Sequence, residues 1–173
     1  MAKEWKSLTK AHVAFIQRQH VFFVATAPMR FGRVNISPKG LRSLGVLSPR
    51  RVAYYDIVGS GNETAAHLAD DGRLTLMMCA FEGLPSILRI YGNGSIHDIQ
   101  SRVAHEMHRV VGEPPLGARH IVVLTVESVR RSCGFGVPFL DFSHDRPDLP
   151  EWAERLGPRR LAEYHARHGA SSI

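Results

Sequence analysis

Cysteine is scarce in this sequence: two residues in 173, Cys79 and Cys133. Cys79 lies in an apolar run and Cys133 precedes a glycine-rich turn, and no CxxC pair occurs, so neither a disulfide framework nor a paired-cysteine site is expected. Long apolar runs are also missing, and none reaches the length that spans a bilayer. Residues 1–10 carry charges but no apolar core of a secretory signal, so a cytoplasmic protein is expected. The sequon at Asn62-Glu63-Thr64 is accordingly not expected to carry a glycan. No GxGxxG follows the first apolar stretch, and strands do not alternate regularly with helices, which argues against a Rossmann sheet. A long basic block is absent as well. Lys and Arg outnumber Asp and Glu by 22 to 16, for a net charge of +6. The densest basic groups are only pairs such as Arg50-Arg51 and Arg130-Arg131, which do not make a nucleic-acid face. The excess favours anionic partners in general, small ones included.

What is present suffices for a globular core. Apolar residues make up 44% of the chain, and the length suits a single domain over residues 1–173 with a helical C-terminal extension at about 148–168. Residues 8–19 have helical apolar spacing, with a start near Thr9. Residues 20–27 (HVFFVATA) read as a buried strand, residues 28–32 as a turn, and residues 33–37 as a returning strand. Further strands are expected near 44–47, over 51–56, over 73–80, over 87–96 and over 120–129. Helices are expected over 64–69 and 101–111, the latter burying Val103, Met107, Val110 and Val111. In the C-terminal region a helix starts near Pro150 and is interrupted at Gly157-Pro158. About six or seven strands joined mostly by short turns predict a mainly β chain, a small β-barrel with peripheral helices.

Two stretches carry chemistry. In Val34-Asn35-Ile36-Ser37-Pro38-Lys39-Gly40, strand alternation puts Asn35, Ser37 and Lys39 on one face. Pro38 lacks a donor, so ladder pairing is expected to end there. An amide, a hydroxyl and an ammonium beside a glycine suit an anion such as phosphate, and they equally suit a plain edge strand that ends in Pro and Gly. The second stretch is Val58-Gly59-Ser60-Gly61-Asn62-Glu63-Thr64. Ser60 and Glu63 fit a capping box, and a glycine-flanked helix start offers backbone N–H groups and a positive dipole end. Arg89, among apolar residues of the 87–96 strand, needs an anionic or hydrogen-bonding partner. His105 and His108 have a spacing that can ligate a metal, but no third ligand stands at a recognisable distance, so no metal is expected. Tyr54, Tyr55, Asp56 and His67 are candidates for proton transfer, and no catalytic residue is assigned.

Taken in order, FFVATA, GRVNISPKG, VAYYDIVGSGNETAAHL, RLTLMMCAFEG, ILRIYGNGSI and SCGFGVP resemble the pyridoxamine 5′-phosphate oxidase-like family of flavin-binding split β-barrels. The likeness runs from about residue 20 to residue 138. It implies an FMN-binding homodimer with the flavin at the subunit interface. Ser37, Pro38, Lys39 and Gly40 would line the cofactor on one wall. Val58, Gly59, Ser60, Asn62 and Thr64 would form the other, with Asn62 and Thr64 nearest the phosphate, and Arg89 would approach from the partner subunit. Ser37, Asn62 and Thr64 stand where members that oxidise pyridoxamine phosphate carry basic residues, so oxidation of vitamin B6 is not what the resemblance implies. The function expected is oxidoreduction of a small molecule, with NADH or NADPH as a candidate electron donor. The alternative is a flavin- or deazaflavin-binding or sensing protein without turnover.

Overall fold

The structure, a computed structural model, describes residues 3–59 and 61–168. Eight strands form one antiparallel sheet: β1 (Lys3–Trp5), β2 (Phe22–Thr26), β3 (Asn35–Lys39), β4 (Leu44–Ser48), β5 (Arg51–Ile57), β6 (Arg73–Cys79), β7 (Ile87–His97) and β8 (Ala118–Ser132). Four helices accompany them: α1 (Lys10–Gln17), α2 (Glu63–Asp70), α3 (Arg102–Val111) and α4 (Asp148–His168). The strand order is β3-β2-β6-β7-β8-β5-β4, and β1 pairs with β8. The chain is therefore mainly β, as its residues predict, with a curled half-barrel sheet.

Chain connectivity explains the curl. β3 and β4 are the two ends of the sheet path, yet Lys39 and Leu44 are joined by residues 40–43 alone. Five residue steps span at most about 18 Å, so the edges must swing toward each other. They are joined by chain and not by a ladder, which leaves a split barrel.

Inside the curl, Val24, Leu76, Met78, Ile90, Val52 and Tyr54 make the main core, each at most 1% exposed. β5 is buried on both faces. Val52 and Tyr54 point inward, while Ala53 and Tyr55 lie under α3 with Val103 and Met107. This explains why its sequence reads as a nearly continuous apolar run. A third cluster seats α4, with Val58 beneath Ala153 and Leu161.

Several expectations change in detail. Thr9 caps α1 through a reciprocal bond with His12. β3 starts at Asn35 and continues past Pro38, which stands opposite Phe23, to Lys39 opposite Phe22. Pro38 is tolerated because β3 is an edge strand, where a missing donor costs no ladder bond. Asn62, not Ser60, is the N-cap of α2, and it makes no side-chain cap bond, so the expected capping box is not what starts this helix. Ser60 itself lies outside the described residues. Val110 is exposed and not buried, because the apolar stripe of α3 centres on Val103 and Met107. α4 breaks at Gly157, whose φ of 73° only glycine adopts freely. Cys79 and Cys133 are free thiols. Among the described residues no helix is long and apolar enough to cross a membrane.

The turn between β3 and β4 is strained. Leu41 and Arg42 have φ of 55° and 51°, and they are the non-glycine residues with positive φ among those described. Ser43 N–H closes the turn on the Gly40 carbonyl at 3.2 Å, and Ser43 Oγ donates to the same oxygen at 2.7 Å. Left-handed backbone costs about 1–2 kcal/mol for such side chains. Replacing the pair by Asn and Gly (Leu41→Asn with Arg42→Gly) is expected to raise unfolding stability by about 1 kcal/mol. Urea unfolding midpoints check this, and an unshifted midpoint means the turn holds no strain.

Candidate functional site

The half-buried face of β3 carries Asn35, Ser37 and Lys39, while Ile36 and Pro38 on the other face are exposed. Asn35 and Lys39 have partners on other elements, while Ser37 bonds within β3. Asn35 Nδ2 donates to Thr64 Oγ1 at 3.0 Å and approaches Thr26 Oγ1 at 3.4 Å. Ser37 Oγ donates to Asn35 Oδ1 at 3.0 Å. Thr26 Oγ1 lies 3.0 Å from His67 Nδ1. A continuous polar chain thus links β3 to the first turn of α2, and the two stretches singled out in the sequence meet in space.

Lys39 takes a different route. Its ammonium is 2.7 Å from Asp56 Oδ1 at the end of β5. Asp56 Oδ2 receives Arg119 Nε at 2.7 Å and stands 3.1 Å from His120 Nε2. Asp56 is 1% exposed. Burial alone would raise its pKa, but the His120 ring beside it and the charges of Lys39 and Arg119 outweigh burial and hold the carboxyl far below its usual range. Arg119 also donates from Nη2 to the Gly61 carbonyl at 2.9 Å. One carboxylate therefore joins β3, β5, β8 and the loop that opens α2.

The remaining sequence candidates fall in distinct places. Gly40 packs near the His20 carbonyl. Val58 turns its side chain into the α4 cluster, so it can offer a ligand only backbone. Gly59 is exposed, and a Cβ there would meet nothing within 4 Å. Thr64 is 6% exposed. Arg89 is half-buried on β7, with Nη1 on Ser132 Oγ at 3.1 Å, so its partner among the described residues is a hydroxyl. Of the proton-transfer candidates, Tyr54 and Asp56 lie buried by the site. Burial pushes the Tyr54 phenol well up, and the Asp56 charge adds to the rise. Tyr55 points the other way and donates to the Gly112 carbonyl at 3.2 Å. His67 borders a cleft of about 640 Å³ between the β2–β3 turn and α2, together with Arg33, Asn35, Glu63 and Ala66. That volume suits a small organic ligand. Among the described residues no group of three or more His, Cys, Asp or Glu could hold a metal ion.

Arg119 and His120 are the site residues that the sequence reading missed. Two basic residues opening a long apolar strand were the available signal, because a charge at such a position needs a buried counter-charge.

The sequence profile of the family described as "Pyridoxamine 5'-phosphate oxidase" matches residues 8–133. The chain belongs to this family. It is 40% identical over 172 residues to a protein of Aspergillus flavus described as "Pyridoxamine 5'-phosphate oxidase family protein ustO", covering 90% of this chain and 69% of that protein. Among solved structures, HupZ from Group A Streptococcus superposes with a TM-score of 0.55 at 21% identity, covering 70% of this chain and 91% of HupZ. A conserved hypothetical protein of Mycobacterium tuberculosis does so with a TM-score of 0.52 at 13% identity, covering 80% and 94%. These two likenesses establish the fold alone.

The Asp56 cluster makes stability pH-dependent with a definite sign. A carboxyl held low in the folded state stabilises fully above the ordinary aspartate value of 3.8, and that stabilisation is lost as pH falls below it. Asp56→Asn leaves Lys39 and Arg119 without their counter-charge and is expected to cost about 3–5 kcal/mol. Thermal unfolding across acidic pH should show a smaller loss in Asp56→Asn than in the wild type. Equal slopes would mean that another carboxylate controls acid unfolding.

Proposed function

We propose that the chain is a flavoprotein that takes FMN between residues 37–40 and residues 58–64 and acts as an oxidoreductase on a small molecule. Family membership supports the flavin. The observation that carries the site is the hydrogen bond from Asn35 to Thr64, which brings the polar face of β3 to the start of α2. The residues present fit a phosphate-bearing group. Ser37 and Thr64 offer hydroxyls, Lys39 offers charge, and open space at Gly59 allows close backbone approach. The flavin would supply the electron chemistry, while the protein binds it, orients it and limits water. Of the proton-transfer candidates, His67 lines the neighbouring cleft and stands outside the Asp56 cluster.

A homodimer completes this reading. Met29, Phe31, Val34 and Ile36 on the β2–β3 hairpin are 57%, 91%, 66% and 64% exposed, a concentration of apolar surface suited to a second copy. Arg89 would reach the flavin of the partner subunit. The second reading, a flavin or deazaflavin binder without turnover, is favoured by the locking of Asp56 in ion pairs and of Tyr55 on Gly112. Reduction of the bound flavin by NADH or NADPH separates the two.

Freshly purified protein is expected to show a flavin absorption spectrum and to gain thermal stability from added FMN. Thr64→Ala should weaken FMN binding by about 1–3 kcal/mol, the range of a hydrogen bond to a charged group. A colourless protein whose melting temperature ignores FMN would overturn the proposal.

A further inference from the structure

Lys39 is the cation that the sequence offers for a phosphate, yet its ammonium lies 2.7 Å from the buried Asp56 carboxylate. Around that carboxylate the charges do not balance. Lys39 and Arg119 bring two positive charges against the one negative charge of Asp56, with the His120 ring 3.1 Å away. His165 of α4 stands close enough for the charges of Arg119 and His120 to add to burial in holding its imidazole below the usual range. Glu63 is the acidic residue of the first turn of α2, but it is exposed and so is screened by water. A buried cationic excess is costly unless an anion joins it.

Arg119 has the geometry to meet that anion. Its side chain is 8% exposed. Nε is spent on Asp56 and Nη2 on the Gly61 carbonyl, at 2.7 and 2.9 Å. Nη1 is buried with no hydrogen-bond partner among the described residues. A buried guanidinium N–H without an acceptor carries a desolvation penalty that a ligand oxygen would relieve. The bond to Gly61 holds the guanidinium against the loop that opens α2. The helix dipole and the spare N–H therefore serve the same spot.

We infer that Arg119 is the phosphate-recognising residue of the cofactor site, with Asp56 orienting its guanidinium. The inference rests on the flavin reading above and adds to it a residue outside both of the stretches assigned there. Arg119 binds the phosphate and not the ring system, so it sets the preference for FMN over riboflavin, which lacks the phosphate.

Fluorescence titration of the full-length protein with FMN and with riboflavin tests this. In the wild type FMN should bind more tightly than riboflavin. Arg119→Gln and Arg119→Lys should weaken FMN by about 10- to 100-fold and leave riboflavin affinity unchanged. Arg119→Lys keeps a charge beside Asp56, so it decides the matter if Arg119→Gln does not fold. Variants that keep the wild-type ratio of the two affinities, or that lose both ligands equally, would overturn the role of Arg119. A wild type that binds FMN and riboflavin equally would also overturn it while leaving the flavin site standing. A wild type that binds neither would remove the flavin reading itself.

Discussion

The carboxylate of Asp56 is the constraint on which the rest of the site depends. Buried at the end of β5, it is hydrogen-bonded and ion-paired to Lys39 across the split of the barrel and to Arg119 on β8, with the His120 ring 3.1 Å away. A lone buried carboxylate is costly, and this one stays ionised because three basic groups surround it. It also orders the surroundings. The bond from Arg119 to the Gly61 carbonyl extends its influence to the loop before α2. The geometry of both walls of the site thus passes through a single side chain.

The topology explains why such a clamp is needed. The two edges of the sheet, β3 and β4, are brought together by a short connection and share no ladder. A barrel closed in this way lacks the row of backbone bonds that holds a continuous sheet, so side chains must hold the gap. Lys39 does so through Asp56, while Asn35 ties β3 to α2 through Thr64. The turn at Leu41 and Arg42 carries left-handed backbone at both central positions, in residues that do not favour it. Strain of that kind persists only where its surroundings over-determine it, and here it follows directly on Gly40.

The helices have separate tasks. α3 covers the outer face of β5 with Val103 and Met107. α4 covers Val58, which fixes the backbone leading to Gly59. α2 presents its first turn to β3. The exposed hairpin at Met29, Phe31, Val34 and Ile36 lies beside the cleft.

Local residue chemistry by itself determined most of the elements. The aromatic and β-branched run before Thr26, the cap at Thr9, the break at Gly157 and the alternation of Asn35, Ser37 and Lys39 are all legible, because each depends on neighbours a few residues away. The family likeness was legible in the order of six short stretches. Three things were not. β3 continues through Pro38 because it is an edge strand, and edge position is a property of the whole sheet. Val58 faces α4, which lies roughly a hundred residues further along the chain. Arg119 and His120 belong to the site because antiparallel pairing of β5 with β8 sets Asp56 opposite His120. Strand pairing is a non-local choice, made by burial of the whole sheet, and it alone decides which buried charges can meet.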